Sequence, residues 1–73
     1  MEIEVLRRNV KEQIQKRRWE RDWSLSKLGR CVGAAPAVVW QWEQGVHLPS
    51  VENLVRLSEV FGCSLDDLCG GVK

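Results

Sequence analysis

The side chains that could carry covalent or metal chemistry are few here, and their spacing is wrong for it. Cys31, Cys63 and Cys69 are odd in number and include no C-x-x-C pair, and His47 stands apart from all three. Structural zinc needs four ligands at tighter spacing, so neither a metal site nor a disulfide framework is expected. Ser24, Ser26, His47 and Asp66 offer no nucleophile–base arrangement, and a bundle of 73 residues leaves little room for a closed pocket. No enzymatic activity and no cofactor are expected. Non-covalent recognition remains. Residues 1–30 hold nine Lys/Arg and five Asp/Glu, whereas residues 31–73 hold two and five. A basic amino-terminal half can follow a phosphate backbone, and an acidic carboxy-terminal half is repelled by one. Arg7, Arg8 and Lys11 read equally well as the solvated face of a charged helix.

The elements that must position these groups are helical. Period-two alternation is absent, and only two prolines and one short Gly pair interrupt the helical spacing. Ile3, Leu6, Val10 and Ile14 recur at three- and four-residue steps, predicting a long helix over about 3–21 that Asp22-Trp23-Ser24 ends. Ser24 is a suitable N-cap for a second helix over 25–32, with Leu25, Leu28 and Val32 on one face and Gly33 in the turn that follows. Pro36 opens a third helix, about 36–44, at a position where its missing N–H costs nothing, and Gly45 closes it. Ser50 caps a fourth, striped by Val51, Leu54, Val55, Leu57, Ser58 and Phe61 and ended by Gly62. Ser64-Leu65-Asp66-Asp67 has the form of a capping box for a short fifth helix ending near Cys69. Cys31 and Cys63 are expected to pack as small hydrophobes, with Cys69 near the end. The expectation is one all-α domain, a compact five-helix bundle. The longest apolar stretch, Ala34 to Trp40, is far too short to span a bilayer, and Met1, Glu2 and Glu4 do not begin a signal peptide. A cytoplasmic protein without a membrane partner is expected.

Two short helices joined by a tight turn with a glycine have the spacing of a helix-turn-helix, in which the second helix lies in the DNA major groove. A helix pair alone is weak evidence. The wider pattern is specific: Leu28, Gly33, Val39, Trp42-Glu43, Gly45, Leu48-Pro49-Ser50, Asn53-Leu54 and Leu57 fall in order at the intervals of one family. The chain resembles the Cro/repressor-type (XRE-like) helix-turn-helix proteins, and among them the amino-terminal domains of lambdoid phage repressors. The resemblance runs from about Val10 to Gly70, leaving 1–9 as an amino-terminal extension of the first helix and 71–73 as a tail.

The resemblance implies a lambda repressor-like DNA-binding domain, double-stranded DNA as partner, a homodimer on a two-fold operator, and the bacterial cytosol or nucleoid as location. By position it makes Arg18 the partner of a buried Glu43, a structural ion pair. It turns Ala35, Pro36, Ala37, Trp40 and Gln41 toward base edges, where relatives usually carry Ser, Gln, Asn, Arg or Thr. Of these five, Gln41 alone can make a bidentate contact, most naturally with adenine, while Ala35 and Ala37 can touch a thymine methyl. Phosphate contacts are implied for Ser24, Leu25 and Lys27 at the start of the second helix, Arg17 on the first, and Gln44 and His47 in the following loop. Leu25 replaces a phosphate-gripping glutamine, so only backbone N–H groups can act there. A basic ridge of Arg17, Arg21, Lys27 and Arg30 would favour DNA. The alternative is a protein-interaction or oligomerisation module on the same fold, with a protein partner at the apolar face Ala35–Trp40.

Overall fold

The computed structural model describes residues 2–70; the tail assigned to 71–73 lies outside them. Helix α1 spans Ile3–Glu20, α2 Leu25–Val32, α3 Pro36–Glu43, α4 Val51–Phe61 and α5 Leu65–Leu68. The expected all-α bundle of five helices is observed, with no strand among the described residues. Helix α1 ends one residue earlier than its periodicity suggests. Arg21 caps it, and Asp22 turns the chain with a left-handed backbone, φ 54°.

The local chemistry read from the sequence builds the joints. Ser24, Ser50 and Ser64 each accept a backbone N–H three residues on, from Lys27, Asn53 and Asp67. Gly33 ends α2 at φ 74°, a conformation that costs a side chain dearly and glycine little. A second glycine matters for another reason. Gly29 is buried under the α2–α3 turn, where a Cβ would run into the Ala34 carbonyl oxygen. The turn can therefore close tightly over α2 and dock α3 against it.

Val10, Ile14, Leu28, Val32, Val39, Trp42, Leu57, Phe61 and Leu68 form the buried core, drawing on all five helices. Helix α3 packs on α1 and α2, whereas α4 packs on α2 and α5. This arrangement corrects the stripe expected for α4. Val51 is 76% exposed and Val55 39%, because the face they share lies away from α2 and α5; Leu57 and Phe61 carry the packing. Cys31 corrects another expectation. It is exposed at the end of α2, while Cys63 and Cys69 are half-buried, and burial pushes both of their thiols up.

Helix α5 is held by a reciprocal capping box. Asp67 Oδ2 accepts the Ser64 N–H at 3.1 Å, and Ser64 Oγ accepts the Asp67 N–H at 3.0 Å. These bonds to Ser64, helped by the charge of Arg17, hold the Asp67 carboxyl below the usual carboxylate range. A depressed carboxyl stabilises the fold fully above its unfolded-state pKa of about 3.9, and that contribution is lost as pH falls through the lower folded value. Asp67→Asn should therefore be less stable than the parent at pH 7, with the gap closing below about pH 4. Urea unfolding midpoints of the two proteins from pH 7 to 3 check this, and a gap independent of pH would contradict it.

Candidate nucleic-acid interface

Among the described residues, the ion pair with both partners largely buried lies behind α3. Glu43 is the last residue of α3 and only 2% exposed. Arg18 Nε–H donates to its Oε2 at 2.6 Å and Nη2–H to its Oε1 at 2.8 Å, so guanidinium and carboxylate meet fork to fork. The third nitrogen, Nη1, donates to the Trp23 carbonyl at 2.8 Å, and the Gln15 amide donates to the Glu43 carbonyl at 3.3 Å. The hydrogen bond to Glu43 raises the Arg18 pKa further, burial opposing it. One arginine thus ties α1, the α1–α2 joint and the end of α3 together.

The opposite side of α3 faces water. Val39, Trp42 and Glu43 are buried, whereas Ala35, Pro36, Ala37, Val38 and Trp40 are exposed and Gln41 is half-buried. Trp40 is 49% exposed, and Ala37 and Gln41 lie one turn apart on the outward face. Helix α3 adds no acidic group to this surface, because its one carboxylate is the buried Glu43.

The expected phosphate contacts divide into three groups. Ser24 and Lys27 are exposed at the start of α2, with the Ser24 hydroxyl engaged as cap. The Leu25 and Ser26 N–H groups there have no intrahelical acceptors, while the Leu25 side chain packs at the edge of the core. Gln44 and His47 are exposed in the loop after α3. Arg17 is half-buried on α1, where its Nε–H donates to Gln13 Oε1 at 3.2 Å.

Arg21, also expected in the basic ridge, is engaged by main-chain carbonyls and rings. Its Nη1 donates to the Arg17 carbonyl and its Nη2 to the Phe61 carbonyl, each at 2.9 Å. The guanidinium lies 5.5 Å from the Trp23 ring and 5.1 Å from the Phe61 ring, which stack on each other at 6.2 Å. Lys27 reaches the same Trp23 ring at 5.9 Å. Arg21 ties α1 to the end of α4 and sits beside Lys27 at the Trp23 ring. Conversely, Lys11 gains a place that its sequence position did not reveal. Its side chain runs beside Gly45, so that a cation from α1 reaches the loop that follows α3. Helical phase alone could have flagged it, since Lys11, Gln15 and Arg18 succeed one another at steps of four and three.

Residues 14–68 match the helix-turn-helix family, and the chain belongs to it. Over 60 residues, 82% of its length, it is 37% identical to repressor protein C2 of Salmonella phage P22. Over 61 residues, 84% of its length, it is 28% identical to the cryptic phage CTXphi transcriptional repressor RstR of Vibrio cholerae serotype O1. The chain spans 28% of the length of the first and 54% of the second. Its fold is similar to that of the P22 c2 repressor, crystallised with the synthetic operator 9T in the presence of Tl+. That match has a TM-score of 0.81 at 35% identity and covers 86% of this chain and 96% of that one. The family expected from the sequence is therefore the family found. No helix among the described residues is long and apolar enough to cross a membrane.

Proposed function

We propose that this chain is a DNA-binding transcriptional repressor of phage or prophage type that lays α3 in the major groove of a two-fold operator. The observation that carries this reading is the outward face of α3. It exposes no carboxylate of α3 and is braced from behind by the Arg18–Glu43 pair. The N–H groups at the start of α2, with Lys27 beside them, hold one phosphate; Lys11, Gln44 and His47 flank the groove at the loop after α3. The likeness to a repressor solved on its operator supports the same docking. The acidic residues Glu59, Asp66 and Asp67 belong to α4 and α5, and the main packing partners of α3 are α1 and α2.

One helix reads too few base pairs for useful specificity, so the active form is a homodimer in the bacterial cytosol. Mobility shifts on random duplex DNA at two salt concentrations test the reading. Binding should weaken steeply with salt, with a log–log slope of about −0.9 per phosphate contacted. Absence of binding even near 50 mM salt would sink the proposal and turn attention to a protein partner for the α3 face.

A further inference from the structure

The outward face of α3 carries a chemical preference that follows from what it lacks. Helix α3 contains no Lys or Arg, so the commonest contact to guanine, a cation on O6 and N7, is absent. It contains no exposed carboxylate to accept the N4 amino group of cytosine. Its exposed side chains are the methyls of Ala35 and Ala37, the Pro36 ring, the Val38 isopropyl and the Trp40 indole; the polar groups are the Gln41 amide and the Trp40 N–H.

A G·C pair set against the apolar part of this face, away from Gln41 and the Trp40 N–H, would have its major-groove donors and acceptors stripped of water with no partner, which is costly for each group. An A·T pair offers the one apolar group in that groove, the thymine C5-methyl, and the N6/N7 edge of adenine that a glutamine amide fits. Ala37 lies one turn from Gln41, so one A·T step can meet the Ala37 methyl and the Gln41 amide together.

We infer that this chain recognises a half-site of A·T pairs, with thymine C5-methyl groups packed against Ala37 and its apolar neighbours and an adenine held by Gln41. This rests on the DNA-binding reading above. Selection from a random duplex library, followed by replacement of thymine by uracil in the winning duplex, tests it. Uracil deletes the methyl and leaves every hydrogen-bonding group and phosphate in place. The selected half-site should be A·T-rich, and each critical uracil should weaken binding about four-fold, the change equivalent to ~0.8 kcal/mol of methyl burial. Gln41→Ala should relax the preference at one adenine without abolishing binding. Winning sites rich in G·C, or indifferent to uracil, would overturn the inference while leaving DNA binding intact. If no duplex is retained at low salt, the inference falls together with the reading beneath it.

Discussion

Replacing Arg18 with methionine is expected to destabilise the fold by about 3–5 kcal/mol, because it strands the Glu43 carboxylate inside the protein. Glu43 is 2% exposed, and both of its side-chain oxygens are satisfied by the one guanidinium. The loss also frees the Trp23 carbonyl and unties α1 from α3. For a domain of this size the thermal midpoint should fall by on the order of 20 °C, measured by circular dichroism. Arg18→Lys should fall between parent and Met variant, since an ammonium keeps the charge but cannot bridge two carboxylate oxygens and a carbonyl. The double variant Arg18→Met/Glu43→Leu should regain most of the loss, because removing both charges leaves nothing desolvated and unpaired. An Arg18→Met protein as stable as the parent would show that Glu43 is hydrated, contrary to its burial.

A carboxylate placed on the outward face of α3 should impair the proposed DNA binding while leaving the fold alone. Ala37→Glu adds a negative charge in the first turn of α3, where it favours the helix dipole, at a position open to solvent. Stability should stay within about 0.5 kcal/mol of the parent. Affinity for duplex DNA should drop about 100-fold, from lost base-edge contact and from repulsion by the flanking phosphates. Fluorescence anisotropy with labelled duplex at fixed salt measures it. Unchanged affinity would mean that DNA is held by another surface of the protein. The two variants separate the two sides of α3: Arg18→Met acts on stability, Ala37→Glu on binding.

How much of this was readable beforehand differs from residue to residue. The helix boundaries were legible because caps and turns are local: Ser24, Ser50 and Ser64 bond backbone groups three residues away, and Gly33 answers a local backbone angle. The Arg18–Glu43 pairing spans 25 residues, and family resemblance alone suggested it. Gly29 carries no sequence signal of its own, since its need for a bare Cα arises only where Ala34 passes over it.

The sequence by itself determined the five helices, their order, the family, and the apolar composition of the α3 face. Each depends on neighbours within a few positions or on a spaced pattern of residue types. The tertiary structure decided which charges are free. It drew Arg21 into a tie with the Phe61 carbonyl and brought Lys11 to the loop after α3. It also left Cys31, Val51 and Val55 in water. The physical reason is that a helix offers several faces at once, and only the packing of its neighbours selects the one that is buried. Long cationic side chains can then reach whatever carbonyl, ring or loop that packing brings within range.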